Sequence, residues 1–276
     1  MSLQEELPEA DPLSVFGSTR AVIQAYVEND MWAEVVWGGS GCGKTRYVIK
    51  KLAQVWGEWT DGRDKNGEKI TYVPLDGMNW DAWKTWMKHD LGDFIGMIDF
   101  VQNKGRQVLM GCLDDAGRVA SNQKWQTKFG QTVNDYANVQ RRDFACLNVT
   151  TPHPGWVLGH IRNMPGGHTV KVNRASGNKY QRQLRYASVY EGWLSPDLKR
   201  SGVKLLWRDW FDVWLPPKVE AEWEPVNQQY SRLALEETKK TYYDMMERGN
   251  KREAKRLKEE GEKQWGKDFG LDDPRR

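Results

Sequence analysis

The sequence predicts an α/β fold: a parallel sheet flanked by helices, with an appended β-hairpin and a C-terminal helix. Two observations predict this class. Between residues 31 and 175, short apolar runs alternate with longer stretches of helical periodicity, and this alternation is typical of a parallel sheet with both faces covered. From residue 179 the pattern changes to the two-residue alternation of antiparallel strands, which predicts the hairpin.

The first predicted strand leads directly into a glycine-rich motif. The apolar run 31–37 is followed by GGSGCGKT, which satisfies G-x-x-x-x-G-K-S/T, and then by a helical run. In such a P-loop, backbone N–H groups and the helix N-terminus surround phosphates, while the lysine reaches the β and γ phosphates and the threonine hydroxyl binds Mg²⁺. The predicted phosphate-binding residues are Gly38, Gly39, Ser40, Gly41, Cys42, Gly43, Lys44 and Thr45.

The remaining elements follow along the chain. Helical patterns occupy residues 12–29, 81–103, 124–139 and 155–164, and strand patterns occupy 70–75, 107–113, 144–151 and 169–172. Two further strands, 183–193 and 203–214, predict the hairpin, and a helix is expected over 227–262. We therefore divide the chain into an N-terminal helical segment (1–30), a P-loop core (31–175), a basic aromatic hairpin (176–217) and a charged C-terminal helix and tail (218–276).

A second motif indicates hydrolytic chemistry. The apolar run 107–113 ends in Asp114 and Asp115. Beside a phosphate loop, the first carboxylate holds Mg²⁺ through water and its neighbour can polarise the attacking water. We therefore assign Asp114 to the metal and Asp115 to the water. The alternative interpretation is an Asp-Asp-Ala-Gly turn without a site.

Together these motifs resemble the additional-strand division of P-loop ATPases, which includes AAA+, RecA-like and FtsK/HerA proteins. The resemblance covers roughly residues 31–175 and rests on the P-loop strand, the carboxylate strand and a strand that ends in Asn148 and Thr150. The string LDDAG, the pair Arg141-Arg142 and the Thr-Thr strand end are similar to helicase-loader and insertion-sequence ATP-binding proteins. The chain departs from the division in having Asp-Asp where Asp-Glu is common.

The resemblance implies an oligomeric ATPase with ATP bound between subunits. By that resemblance, Asn148 or Thr150 senses the γ-phosphate. Arg162 matches the position of an arginine finger, which would neutralise charge on the transferred phosphoryl group of a neighbouring subunit. Arg141 and Arg142 are competing candidates, and a surface salt bridge is the alternative interpretation for all three.

Positive charge is concentrated in one part of a nearly neutral chain. The net charge is +3, yet residues 160–209 hold ten Lys/Arg against three acids, interleaved with Tyr and Trp. Cations neutralise nucleic-acid phosphates and rings stack on bases, so we expect residues 176–215 to contact DNA. A solvated hairpin face with packed aromatics is the alternative. Residues 231–276 hold 13 basic and 11 acidic residues, which favours a solvated or partner-facing helix.

The cysteines and the hydropathy indicate the compartment. Cys42, Cys112 and Cys146 are too far apart for a C-x-x-C metal site or a disulfide framework. No run approaches the length of a membrane span, and the acidic opening lacks the layout of a signal peptide. We expect a cytoplasmic protein, or one that is intracellular in the host of a virus or mobile element, without membrane insertion.

Three functions are compatible with these features. The first is ATP hydrolysis coupled to DNA packaging, DNA transfer or helicase loading. The second is a P-loop kinase or transferase, for which residues 174–185 supply an arginine-rich lid. The third is a nucleotide-dependent switch that docks a protein partner through the C-terminal helix. The Asp-Asp and Thr-Thr strand ends favour hydrolysis.

Overall fold

A computed structural model of the chain describes residues 15–63, 69–116, 142–153, 167–175, 183–194 and 201–247. The chain divides into two compact units, residues 1–219 and 220–276. The helices are α1 (Gly17–Val27), α2 (Lys44–Val55), α3 (Ala82–Trp86), α4 (Leu91–Lys104) and α5 (Pro217–Glu247). The strands are β1 (Ala33–Trp37), β2 (Thr60–Arg63), β3 (Lys69–Tyr72), β4 (Met87–Lys88), β5 (Val108–Leu113), β6 (Phe144–Thr151), β7 (Gly167–Arg174), β8 (Leu184–Leu194) and β9 (Ser201–Asp212).

Within these ranges, seven strands form one sheet in the order β4-β5-β6-β1-β7-β8-β9. The first five of that order are parallel, and β8 and β9 continue the sheet in antiparallel pairing. The predicted α/β class, with a parallel sheet and an added hairpin, is confirmed. Because β6 lies between β1 and β5, the carboxyl ends of these three strands meet at one edge of the sheet.

Helices cover both faces of the parallel sheet, as two successive residues of β1 show. Val35 belongs to the core cluster that contains Phe94 and Val101 of α4. Glu34 points to the other face, where it pairs with Lys51 of α2. Since successive side chains of a strand point to opposite faces, α2 and α4 lie on opposite sides of the sheet.

The predicted second strand of the parallel sheet, over 70–75, is wrong in its partner. A strand forms over Lys69–Tyr72, but it pairs antiparallel with Thr60–Arg63 in a separate two-stranded sheet. The main sheet ends instead at β4, which pairs with β5. A hairpin between neighbouring segments closes a shorter loop than a crossover connection does, so its entropic cost is lower.

The predicted helix over 81–103 is broken in the middle. α3 ends at Trp86, β4 follows, and α4 begins at Leu91. The carboxylate of Asp90 accepts a hydrogen bond from the backbone N–H of Asp93 at 2.9 Å, which caps the start of the new helix. The interruption places His89 directly after β4, at the carboxyl edge of the sheet.

The predicted hairpin forms and also holds the N-terminal helix. Asp209 of β9 accepts hydrogen bonds from the backbone N–H of Gly17 at 2.7 Å and from the hydroxyl of Ser18 at 2.7 Å. Tyr47 of α2 donates to the same carboxylate at 2.9 Å. Burial raises the pKa of Asp209, although these hydrogen bonds act in the opposite direction. A carboxylate from a distant strand therefore caps α1.

Other sequence predictions meet the structure only in part. α5 starts ten residues before the predicted position because Pro217 opens the helix, a position that suits proline. The helices expected over 124–139 and 155–164, the connection between the two hairpin strands at 195–200 and the chain beyond 247 lie outside the residues that the structure describes. None of the helices that it does describe combines the length and apolar character of a membrane span.

Candidate active site

The glycine-rich loop joins β1 to α2 at the carboxyl edge of the sheet. Gly43 precedes the helix with φ 101° and ψ 19°, and Gly38 has φ 154°. A Cβ atom on Gly38 would lie 2.5 Å from the carbonyl oxygen of Val172. Glycine adopts these conformations without a steric penalty. The backbone path thus accounts for both glycines of the motif.

Lys44 folds back over this loop. Its Nζ lies 2.9 Å from the carbonyl oxygen of Gly38 and 3.3 Å from that of Gly39. α2 begins at Lys44, so the N–H groups of its first turn have no acceptor within the helix. An ammonium group and a helix N-terminus, both of which attract anions, therefore occur at the same loop.

Asp114 is the centre of a polar cluster beside the loop, which we call the site cluster. Thr45 Oγ1 lies 3.3 Å from each carboxylate oxygen of Asp114. Thr150 Oγ1 donates to Oδ1 at 2.5 Å, and His89 Nδ1 lies 3.4 Å from Oδ2. Residues from the start of α2 and from the ends of β4 and β6 thus converge on one carboxylate at the end of β5.

The environment of Asp114 favours the ionised carboxylate. Burial by itself would raise the pKa of Asp114. The hydrogen bond and charge of His89, together with hydrogen bonds from Thr150 and Thr45, outweigh burial and leave the pKa below its ordinary value. The site cluster therefore offers anionic and hydroxyl oxygen atoms, which are the ligands that Mg²⁺ prefers.

Asp115 occupies a strained turn directly after Asp114. Its φ is 51°, a left-handed conformation that costs most residues with a side chain about 1–2 kcal/mol and that aspartate adopts more often than most. Its backbone N–H donates to Thr150 Oγ1 at 2.7 Å, and its side chain is exposed. The turn therefore separates the two carboxylates, since Asp114 is buried. Strain of this kind is concentrated at functional sites.

Asn148 lies away from the site cluster. It is fully buried, and its Nδ2 donates to Glu34 Oε2 at 2.8 Å. Glu34 also accepts a hydrogen bond from Trp32 Nε1 at 2.6 Å and pairs with Lys51 Nζ at 2.7 Å. We call these four residues the buried ion cluster. Of the two predicted sensor residues, Thr150 is hydrogen-bonded to Asp114 and Asn148 is hydrogen-bonded to Glu34.

Two arginines of the positively charged stretch 160–209 contact the loop from its other side. Arg174 Nη2 lies 3.3 Å from the carbonyl oxygen of Gly41, and Arg185 Nε lies 3.1 Å from that of Cys42. No spacing in the sequence indicates these contacts, because they depend on how β7 and β8 pair. His89 was also missed, although the pair Asp90 and Asp93 signals the helix start that follows it.

The predicted arginine fingers stay predictions. Arg141 and Arg162 lie outside the residues that the structure describes. Arg142 is exposed just before β6, whereas Thr150 and the phosphate loop lie at the opposite end of that strand. Within one chain, the length of β6 therefore separates Arg142 from the loop.

Comparisons with known proteins leave the site to be interpreted from its own geometry. No protein-family model and no curated protein matches the chain. Among solved structures, the N-terminal domain of zonular occludens toxin from Neisseria meningitidis is similar at 15% identity, over 69% of this chain and 97% of that chain, with a TM-score of 0.37. A similarity at this level carries no argument about function.

Proposed function

We propose that this chain is a Mg²⁺-dependent ATPase. The observation that supports the proposal best is the site cluster. The hydroxyl of Thr45, from the phosphate loop, lies within hydrogen-bond distance of the Asp114 carboxylate at the end of β5. The hydroxyl of Thr150, at the end of β6, holds the same carboxylate. A glycine-rich turn that binds no ligand would not require a buried carboxylate beside the threonine of the turn.

Mg²⁺ fits the oxygen atoms of Thr45 and Asp114. Among the residues that the structure describes, no group of three or more His, Cys, Asp or Glu could hold a metal ion. Mg²⁺ commonly takes only one or two protein ligands and completes its shell with phosphate oxygens and water. We therefore expect the metal to bind together with the nucleotide. When bound, it neutralises charge on the phosphates.

Different residues of the chain would then bind the phosphates, orient the attacking water and hold the site in place. Lys44 binds the β and γ phosphates, and the N–H groups of residues 38–45 surround the phosphate chain. Asp115 orients the attacking water and accepts its proton. Thr150 holds the Asp114 carboxylate and the backbone of Asp115, because its hydroxyl donates to Asp114 and accepts from the N–H of Asp115.

We further propose that hydrolysis drives DNA packaging, DNA transfer or helicase loading in a homo-oligomer. The support is the basic and aromatic composition of residues 176–215. In the described part of this segment, Lys204 and Arg208 are exposed, and the Arg208 guanidinium lies 5.5 Å from the ring centroid of Tyr186. Surfaces that bind single-stranded nucleic acid combine positive charge with aromatic rings and arginines that contact the bases.

Phosphate release from ATP, with and without single- or double-stranded DNA, tests both parts of the proposal. We expect the purified full chain to hydrolyse ATP, DNA to raise the rate, and Lys44→Ala to lower the rate by about 100-fold or more, because a positioned charge on the reacting phosphates is lost. Lys104→Ala is the matched control, since Lys104 lies at the end of α4. We expect it to leave the rate unchanged.

The same assay separates the alternatives. A rate that responds neither to Lys44→Ala nor to DNA would overturn the proposal. A rate that responds to Lys44→Ala alone would keep the ATPase and remove the DNA coupling. Phosphate transfer to an added nucleoside or metabolite would indicate a kinase instead, and nucleotide-dependent capture of a protein by the C-terminal helix would indicate a switch.

A further inference from the structure

Two arginines lie side by side against the phosphate loop. Arg174 of β7 and Arg185 of β8 are directly opposite each other in the antiparallel ladder, so their side chains project from the same face of the sheet. They contact successive carbonyl groups of the loop, at Gly41 and Cys42. Two cations therefore approach one short stretch of the loop.

The two guanidinium groups place two positive charges at one end of the loop. Like charges directly opposite each other destabilise a strand pair. Burial lowers the pKa of Arg185, and the charge of Arg174 lowers it further. Arg174 is exposed and forms no ion pair within the described ranges. Since a guanidinium carries five N–H donors, Arg174 keeps donors for a ligand beyond the one that contacts Gly41.

The sheet order indicates which part of a nucleotide these arginines would meet. The site cluster lies at the ends of β5 and β6, on one side of β1, while Arg174 and Arg185 lie on β7 and β8, on the other side. Lys44 and the metal ligands take the β and γ phosphates. A nucleotide with its γ-phosphate beside Asp114 would therefore extend towards the arginines, and its α-phosphate would lie on their side of the loop.

We propose that Arg174 binds the α-phosphate of the nucleotide held by its own subunit. This inference rests on the proposed nucleotide site and adds a ligand that the loop motif does not contain. The contact differs from that of an arginine finger in two respects. It is made within one chain, and it is made equally with a diphosphate and a triphosphate, because both carry an α-phosphate.

Calorimetric titration of the full chain with ADP and with a non-hydrolysable ATP analogue, both with Mg²⁺, tests the proposal. We expect Arg174→Ala to weaken the binding of both ligands by the same factor, about 10- to 100-fold, as the loss of a charge-assisted hydrogen bond predicts. Arg106→Ala is the matched control, because it removes the same charge from an exposed position just before β5, at the opposite edge of the sheet from the loop. We expect unchanged affinities for it.

Any other result would contradict either the inference about Arg174 or the proposed function. A loss confined to the triphosphate analogue would place Arg174 at the γ-phosphate. Unchanged affinities in Arg174→Ala would show no contact, and an equal loss in Arg106→Ala would reduce the effect to general attraction between charges. All three would overturn the inference while leaving the nucleotide site intact. A wild-type chain that binds neither ligand would instead overturn the proposed function.

Discussion

Two polar clusters lie on the same face of the sheet, and they differ in depth. The site cluster around Asp114 lies at the carboxyl ends of the strands, beside the phosphate loop. The buried ion cluster around Glu34 lies further from that edge, under α2. Asn148 and Thr150 are two residues apart on one strand, yet they belong to different clusters. Position along the strand, rather than residue type, decides whether a polar side chain is available to a ligand or to the fold.

The two clusters also differ in what their charges contact. Glu34 and Lys51 are fully buried and lie 2.7 Å apart. Burial alone would lower the pKa of Lys51, but the carboxylate of Glu34 outweighs it and the pKa is raised. Lys51 therefore favours its charged form, and the charge is directed at Glu34 within the protein. Asp114 has only neutral hydroxyls and one histidine as described partners, so it keeps capacity for a cation.

Breaking the buried ion cluster should produce the largest change. We expect Lys51→Met to lower the free energy of unfolding by about 3–5 kcal/mol, because it leaves an uncompensated buried carboxylate. Denaturant unfolding measures the effect. The double variant Glu34→Leu/Lys51→Met is the control and should recover most of the loss, since no buried charge is left. A small loss in Lys51→Met, accompanied by loss of nucleotide binding, would contradict the division into two clusters.

Breaking the site cluster should affect catalysis more than stability. We expect Asp114→Asn to lower ATP hydrolysis by about 100-fold or more, equivalent to about 2.7 kcal/mol of transition-state stabilisation. The free energy of unfolding should change by about 1–2 kcal/mol, because a neutral amide still accepts hydrogen bonds from the two threonines. Rates of phosphate release and denaturant unfolding are compared for the same samples. Retained hydrolysis together with strong destabilisation would show that Asp114 is structural.

The smallest change sharpens the boundary between the clusters. Asn148→Ala removes a hydrogen bond to the charged Glu34, and we expect it to lower the free energy of unfolding by about 1.5–3 kcal/mol. Its rate of hydrolysis, measured below the unfolding transition, should stay close to that of the wild type. Thr150→Val is the matched variant and should lower the rate instead. A slow but stable Asn148→Ala protein would support the prediction that Asn148 senses the γ-phosphate.

The parts of the site that the sequence predicts are those set by local chain order. Gly38 and Gly43 follow from the backbone path of a strand–loop–helix unit, and Asp114 follows from the end of an apolar strand. Thr150 follows because parallel strands end at the same edge of the sheet. The α/β class was predictable for a similar reason, since alternating strands and helices need no knowledge of distant contacts.

The parts that could not be predicted depend on pairing between distant segments. The contacts of Arg174 and Arg185 with the loop require the register of β7 and β8. Glu34 and Lys51 resemble ordinary solvated charges until the packing of α2 on β1 brings them together. Segment 70–75 has the composition of a central strand, but a local hairpin takes it. In each case the deciding interaction joins residues whose proximity the sequence alone does not specify.

A crystal structure of the full chain with a non-hydrolysable ATP analogue and Mg²⁺ tests the central claim most directly. We expect phosphates within the loop of residues 38–45 and a metal ion about 2.0–2.1 Å from Thr45 Oγ1. We also expect Asp114 bound to that metal directly or through one water, with Asn148 still hydrogen-bonded to Glu34. A nucleotide bound elsewhere, or a metal ion remote from Thr45 and Asp114, would contradict the proposed nucleotide site.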